Sequence, residues 1–433
     1  MHTLIVWFRR DLRLTDNPAL QAAAASGARI VPVWIDSRED EGDWPPGEAA
    51  QWWLHHSLAA LQRGLAARGS RLLLRRGPAL AALQSLLTDT GAHGVYWNRL
   101  YEPHGMARDA AIKQWLGEAG HAARSFNASL LVEPWRVETG AGKPYRVFSP
   151  FWRNARTQVA PRMIEAAPAQ LTGPPDWPDS VSLDALQLES ALDWADGFAA
   201  HWTPGEEGAL QALEQFVAGA LAVYADGREL PAVAGSSRLS PHLHFGEISP
   251  DQVWSSVASE LPSAGRNAEH YLRELGWREF AHHVLYHFPQ TPTEPLNARY
   301  AAFPWREDHE ALLRAWQRGQ TGLPIVDAGM RQLWHTGWMH NRVRMITASL
   351  LVKNIRAPWQ AGARWFWDTL LDADLANNTL GWQWAAGCGA DAAPYFRIFN
   401  PVRQGEKFDP EGDYVRRWVP ELAQLPAKWI HRP

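Results

Sequence analysis

Four short stretches of this chain carry side chains whose types and spacing could do chemistry. Gly235–Ser236–Ser237–Arg238–Leu239–Ser240 sets successive hydroxyls beside a guanidinium. Such donors suit a phosphate or pyrophosphate, although a serine-rich helix cap makes the same pattern. In Glu274–Leu275–Gly276–Trp277–Arg278–Glu279, the residues Glu274, Trp277 and Arg278 share one helix face. An acid beside an aromatic plate could stack on a planar ligand and hydrogen-bond it. The plainer reading is an amphipathic helix with a Glu–Arg pair. In Trp338–Met339–His340–Asn341–Arg342–Val343–Arg344–Met345, the residues Asn341, Arg344 and Met345 also share a face. An amide, a guanidinium and a soft thioether suit a polyaromatic ligand, while Arg342 points elsewhere, toward a phosphate. The fourth stretch is Asp372–Ala373–Asp374–Leu375–Ala376–Asn377–Asn378, followed by Gly381–Trp382–Gln383–Trp384. No nearby His or Cys completes a ligand set for Asp372 and Asp374, so no metal is expected there. Carboxylates can instead bind the ring N–H groups and hydroxyls of a cofactor. The His pairs 55/56, 242/244 and 282/283 lack metalloprotease spacing and read as structural. No GxSxG or phosphate-loop motif occurs.

These stretches need elements to position them. Residues 1–130 alternate short apolar runs (4–8, 29–35, 72–74, 94–97 and 123–126) with helical patterns (18–25, 49–67, 78–88 and 105–117). That alternation predicts a doubly wound parallel sheet, an α/β domain covered on both faces. No GxGxxG follows the first strand, whose turn reads FRRDLRLTDNPAL, so an ordinary dinucleotide site is excluded there. Asp16 or Asn17 can cap the next helix, with Pro18 at its first position. Residues 131–203 are richer in Pro and Gly and read as a connector crossing the first domain. From about residue 204 to 433 the pattern is all-helical, with candidates at 205–223, 250–260, 267–287, 308–318, 324–336, 338–353 and 359–371.

Composition bounds the function. The 433 residues hold 46% hydrophobic and 20% charged residues, enough for two or three cored domains. One cysteine, Cys388, excludes a disulfide framework and a four-cysteine cluster. The N-terminus is not a signal peptide, and no apolar stretch reaches the roughly 18–20 residues of a membrane helix, so a cytoplasmic protein is expected. The net charge of −4 means that any DNA contact must be a local basic patch. Tryptophan is the outlier, at 25 residues. Core packing can absorb many of them, but such density also suits stacking or electron transfer.

Taken in order, the motifs resemble those of the photolyase/cryptochrome flavoproteins. The likeness spans WFRRDLRLTDNPAL (7–20), WWLHHSL (52–58), SSRLSPHLHFGEIS (236–249), ELGWREF (274–280), TGLPIVDAGMRQLWHTGWMHNRVRM (321–345) and DADLANNTLGWQWAAGCGADAAPYFRIFNPVRQGEKFD (372–409). It implies an N-terminal α/β antenna domain, a connector and a helical FAD-binding domain. It further implies light-driven splitting of cyclobutane pyrimidine dimers in DNA by a monomer. By that resemblance, Tyr224, Ser236, Ser237, Arg238, Leu239, Ser240 and Tyr271 meet the FAD phosphates and ribityl chain. Arg278, Asn341, Arg344, Asp372 and Asp374 line its ring and adenine sides, with Arg344 and Asp372 as an ion pair. Asn378 sits at the flavin N5 side. Trp382, Trp359 and Trp305 resemble the chain that relays electrons to the flavin. Glu274 would hydrogen-bond the dimer, while Trp277, Asn341, Met345 and Trp384 would receive the extruded bases. Arg228, Arg342, Arg397 and Lys407 would meet phosphates.

The subtype follows from the same positions. Dimer-repair enzymes carry Glu, Trp, Asn, Met and Trp where this chain has Glu274, Trp277, Asn341, Met345 and Trp384. Plant signalling cryptochromes instead have Asp at the Asn378 position. WWLHHSL and SPHLHFGEIS look like the bacterial class III branch, which implies a methenyltetrahydrofolate antenna. The chain has His104–Gly105 where some members hold folate with an Asn–Glu pair, so that particular folate site is not reproduced. The chain ends at Pro433, before relatives usually end, with no long cryptochrome-like tail. A blue-light receptor without repair activity is the alternative reading.

Overall fold

The computed structural model describes residues 2–433 apart from 161, 191–192 and 393–396. The 393–396 part of the last motif therefore lies outside the described residues. Strands β1 (Thr3–Phe8), β2 (Arg29–Asp36), β3 (Leu73–Arg76), β4 (Gly94–Asn98) and β5 (Ala122–Phe126) form one parallel sheet in the order β3-β2-β1-β4-β5. Strands β1, β2 and β4 are apolar runs buried almost end to end, as a sheet covered on both faces requires, while the edge strands β3 and β5 are only partly buried. Leu4, Val6 and Phe8 of β1 pack with α1 (Pro18–Ala25) and α2 (Glu48–Ala66). Ile5 and Trp7 point the other way, to α3 (Ala79–Thr90) and α4 (Pro103–Glu118). Asn17 is the cap of α1, accepting from Leu20 N. Asp16 adopts a positive φ, and its buried carboxylate accepts from Arg162 and Ser249.

The turn after β1 ties the two domains together. Arg13 is buried and donates to the carbonyls of Asp16, Ala128 and Gly246. Arg9, also buried, forks onto Asp109 at 2.7 and 2.8 Å.

The connector divides its allegiance. Its later part crosses the first domain as expected: Leu171, Leu186 and Leu188 enter that core, and Val181 N donates to Leu74 O at the sheet edge. Its earlier part holds a helix the sequence pattern did not predict, α5 (Phe148–Gln158). Phe148, Phe151 and Trp152 of α5 pack on Phe280 and Val284 of the helical domain.

The helical domain comprises α6 (Glu206–Ala218), α7 (Tyr224–Gly227), α8 (Ser240–His244), α9 (Pro250–Ala258), α10 (Leu261–Ala264), α11 (Arg266–His287), α12 (Glu310–Gln317), α13 (Pro324–Thr336), α14 (Asn341–Ser349), α15 (Trp359–Thr369), α16 (Leu375–Ala386), α17 (Pro401–Phe408), α18 (Asp413–Trp418) and α19 (Ala427–Ile430). The pattern over 205–223 breaks at Gly219, after which a short 3-10 turn leads into α7. Helix α14 starts at Asn341, because the buried His340 caps it by accepting from Arg342 N. Helix α16, against which α11, α14 and α15 all pack, is the central element. Gly362 of α15 permits that packing, since a Cβ there would fall inside the Trp382 ring. No helix among the described residues is long and apolar enough to cross a membrane.

Candidate cofactor and substrate site

Three segments bring the polar candidates together in the helical domain. The loop before α8 carries the first set. A Cβ at Gly235 would collide with the Gly227 backbone, so glycine lets this loop lie against α7. Tyr224 and Tyr271 are buried with their rings 5.2 Å apart, and the Tyr271 hydroxyl donates to Ser237 Oγ at 2.9 Å. Ser236 and Ser237 are half-buried, Leu239 is buried in the core, and Ser240 is exposed. Arg238 holds a positive φ of 54° and lies over Trp202, 4.1 Å from the ring. It has no ion pair or hydrogen bond among the described residues, and its Nε is buried without a partner. Burial lowers its pKa. A half-buried guanidinium with no counter-charge leaves donors free, so this loop fits a pyrophosphate that would supply one.

The second set surrounds α14 and α16. Arg344 donates to Met339 O at 2.7 Å and to Asp372 Oδ2 at 2.8 Å, the ion pair the resemblance implies. Asp372 Oδ1 is buried with no partner. An orphaned buried acceptor asks for a donor, which a flavin ring N–H or a ribose hydroxyl can supply. Asp374 caps α16, accepting from Asn377 N at 2.8 Å. Burial alone would raise its carboxyl, but His282 and His244, at 3.6 and 3.7 Å, outweigh that and hold it well below the usual range. Asn378 is half-buried and donates to Ala363 O at 3.0 Å, which fixes its amide. Arg278 donates to Ser129 O at 2.6 Å, a bond that bridges the domains, and its charge also acts on Asp374 and His282.

The third set faces the outside of this region. Trp277 stacks on Phe148 with ring centroids 3.8 Å apart and planes 8° from parallel. Phe148 is fully buried, so it backs one face of the half-buried Trp277. Glu274 is ion-paired with Arg228, and Arg342 with Glu229. Burial disfavours the Arg228 charge, but the bonded Glu274 carboxylate outweighs it and keeps the guanidinium protonated. Asn341 is exposed, with its amide 4.0 Å from Met345 Sδ. Trp384 lies against Phe399, at 6.4 Å, and the exposed Arg397 covers that same ring. Lys407 lies over Phe408, as does Arg342. Phe148 and Glu229 were not read from the sequence, because neither sits in a motif and their partners lie far along the chain.

The three expected relay tryptophans share one core. Trp382 and Trp359 are buried in it, and Trp305 packs at its edge. None of the three is in ring contact with another among the described residues. The rings nearest Trp382 are Phe366 at 5.0 Å and Trp316 at 6.1 Å.

A separate cleft opens at the carboxyl ends of β1, β2 and β4, where the strand order reverses and α/β sheets take ligands. Trp34, Trp44 and Trp367 give it aromatic walls, and Arg10, Arg38 and Arg108 line it in ion pairs with Glu102, Asp36 and Glu41, which line it too. His244, which reaches Asp374, also lines it, so the cleft abuts the region of Asp372 and Asp374.

Glu279 lies just behind Trp277 and is 4% exposed. Burial pushes its carboxyl up to about 7, against weaker opposition from Arg278 and the Val132 and Leu131 backbone. A carboxyl raised on folding adds stability that is full below its ordinary pKa and lost as pH rises through 7. The shift corresponds to roughly 3 kcal/mol. Glu279→Gln should therefore remove this dependence. Urea unfolding at pH 5 and pH 8 should show a wild-type loss of that order that the variant lacks.

Comparison with known proteins agrees with this geometry. Residues 4–172 match the family model described as DNA photolyase, and residues 271–433 match the FAD binding domain of DNA photolyase. A deoxyribodipyrimidine photo-lyase of Agrobacterium fabrum is 50% identical over 432 residues, covering 99% of this chain and 89% of that protein. Cryptochrome-1 of Arabidopsis thaliana is 40% identical over 440 residues, 99% of this chain and 64% of that protein. The crystal structure of a bacterial class III photolyase from Agrobacterium tumefaciens superposes with a TM-score of 0.96 at 50% identity, covering 100% of this chain and 89% of that one. With a parallel α/β domain, a helical FAD-binding domain and these relatives, the chain belongs to the DNA photolyase/cryptochrome family.

Proposed function

We propose that this protein is a light-driven DNA repair enzyme that splits cyclobutane pyrimidine dimers with FAD. The observation that carries the reading is the pairing of two features on one domain. One is a cofactor region with an unpartnered Arg238 and an orphaned Asp372 Oδ1. The other is an outward aromatic platform, Trp277 backed by Phe148. When bound, FAD supplies blue-light absorption and one electron that the dimer returns on splitting, so no net redox change occurs.

The chain's own residues do the rest. Arg238, with the Ser236, Ser237 and Ser240 hydroxyls, holds the diphosphate. Asp372 accepts from a donor on the ring side while Arg344 fixes its other oxygen. Asn378 offers a neutral amide where a carboxylate would repel an electron-rich ring. Trp277 and Trp384 stack on the extruded bases, and a dimer, already poorly stacked, costs less to extrude than normal bases. Glu274 is held by Arg228, so its charge is compensated where the dimer gains negative charge. Arg397 and Lys407 supply local cations for phosphates despite the acidic total, and Arg228 and Arg342, each beside its glutamate, add guanidinium donors. Trp382, Trp359 and Trp305, in one core, serve as the supply route for electrons from the surface. Residues 1–130 form the antenna domain, 131–203 the connector and 204–433 the catalytic domain. A monomer working on DNA in the cytoplasm completes the reading.

The cleft at the sheet's carboxyl edge is where we place a second, light-harvesting chromophore, methenyltetrahydrofolate. Its aromatic walls suit a planar ring, its paired arginines and carboxylates suit the donors and acceptors on the rim of such a ring, and it adjoins the cofactor region. The test is a dimer-bearing oligonucleotide incubated with reduced protein. Blue light should remove the dimer and darkness should not; no light-dependent loss would leave the receptor reading in its place. The absorption spectrum of the same sample should show a flavin and a near-UV antenna band.

A further inference from the structure

We propose that His55, His56 and Glu189 form a site for one divalent transition-metal ion, zinc or nickel in kind, that pins the connector to helix α2. The three residues lie outside the cofactor region, and the inference does not depend on the repair reading. His55 and His56 are consecutive on α2, while Glu189 comes from the connector directly after Leu188, which is buried in the first-domain core.

The distances point to a metal rather than to hydrogen bonds. His55 Nε2 stands 3.5 Å from Glu189 Oε2, and His56 Nε2 stands 3.5 Å from Glu189 Oε1. Both separations exceed the 2.7–3.2 Å or so of a working N–H···O bond. A tetrahedral ion with ligands at about 2.0–2.2 Å holds its ligand atoms roughly 3.3–3.6 Å apart, the spacing each imidazole keeps from its own oxygen of Glu189, so the carboxylate would serve with both oxygens. The ligand atoms of all three residues fall within 4.8 Å of one another. Both histidines turn Nε2 toward the Glu189 carboxylate, and neither reaches it at hydrogen-bond distance. The cluster is thus gathered but not satisfied internally.

The surroundings fix it without sealing it. The His56 ring sits edge-on to Trp52, 4.4 Å away, and Trp52 in turn meets Phe198 at 5.3 Å. The side chains of His55, His56 and Glu189 are 14%, 37% and 50% exposed, so an ion can enter and keep a water as a further ligand. Two imidazoles and one carboxylate suit zinc, nickel or copper, whereas magnesium and calcium prefer all-oxygen sets. Arg63 is close enough to act on His56, and its charge opposes that of the ion. Affinity in the micromolar range follows, not the tight binding of a closed four-ligand site.

The test uses the full-length, tag-free protein with FAD bound, stripped by a chelator and titrated with zinc chloride against a chromogenic zinc indicator. One equivalent should bind at micromolar free zinc, and the melting temperature should rise with zinc but not with magnesium. Glu189→Gln and His56→Ala should each weaken the uptake at least tenfold, with flavin absorbance unchanged to show that the fold is intact. No stoichiometric uptake, or uptake that survives Glu189→Gln at full affinity, overturns the proposal. A melting temperature raised equally by magnesium overturns the assignment to a nitrogen–oxygen site.

Discussion

Asp372→Ala should empty the cofactor region. Its carboxylate is the ion-pair partner of Arg344 and also carries the unpartnered buried oxygen turned to accept a donor. Removing one member of a buried pair strands the other, at a cost of about 3–5 kcal/mol. Arg344 keeps 23% of its side chain exposed, so the lower end of that range applies. A loss of about 3 kcal/mol spread over folding and binding weakens FAD retention on the order of a hundredfold. The purified variant should therefore carry less than a tenth of the wild-type flavin, read from absorbance at equal protein concentration. Full flavin occupancy would place the ring side of the cofactor somewhere other than the Arg344–Asp372 pair.

Trp277→Ala should act on the opposite face. Its ring is held parallel to Phe148 at 3.8 Å, so its plane is fixed before any base arrives. Stacking a base on an aromatic side chain contributes about 1–3 kcal/mol. The variant should bind dimer-containing duplex roughly 5- to 150-fold more weakly, with affinity for undamaged duplex and flavin content both unchanged. Trp277→Phe should recover part of the loss, because an aromatic face remains. Equal weakening on damaged and undamaged DNA would mean that Trp277 serves packing alone.

The two variants probe residues that were readable to very different depths in the sequence. The sheet was legible because buried parallel strands are continuous apolar runs, and α2 because its apolar positions repeat at helical spacing; its observed span, Glu48–Ala66, lies within a residue of the expected 49–67. Helix α16 was visible as a motif but not as a helix. Its Asn pair and Gly381 are poor helix formers, and what starts it is the Asp374 cap and its packing against α11, α14 and α15. Helix α5 was hidden by a Pro- and Gly-rich neighbourhood, although its face fills the space against Phe280. At the site, Glu274 and Trp277 could be placed on one helix face from spacing alone. The Arg344–Asp372 pair came only from family resemblance, since no local pattern joins two residues on separate elements.

Other features were illegible for the same reason. Phe148 behind Trp277, Glu229 beside Arg342, and Glu189 between two histidines are each a contact between distant segments. Arg278 is a further case. Its spacing put it on the face of Glu274 and Trp277, and the Ser129 carbonyl that it bonds could not be read from that spacing. A side chain's helix face can be read from sequence, whereas its partner depends on the whole chain.

The central claim is that an electron leaves the bound flavin for the dimer under light and comes back. The most direct measurement follows one reduced protein with one thymine-dimer oligonucleotide through a train of blue flashes, recording base absorbance near 260 nm and the flavin spectrum together. The account predicts that base absorbance rises with each flash and not in the dark, while the flavin spectrum at the end equals that at the start. Flashes that leave the base absorbance flat, or that oxidise one flavin for every dimer split, would contradict it.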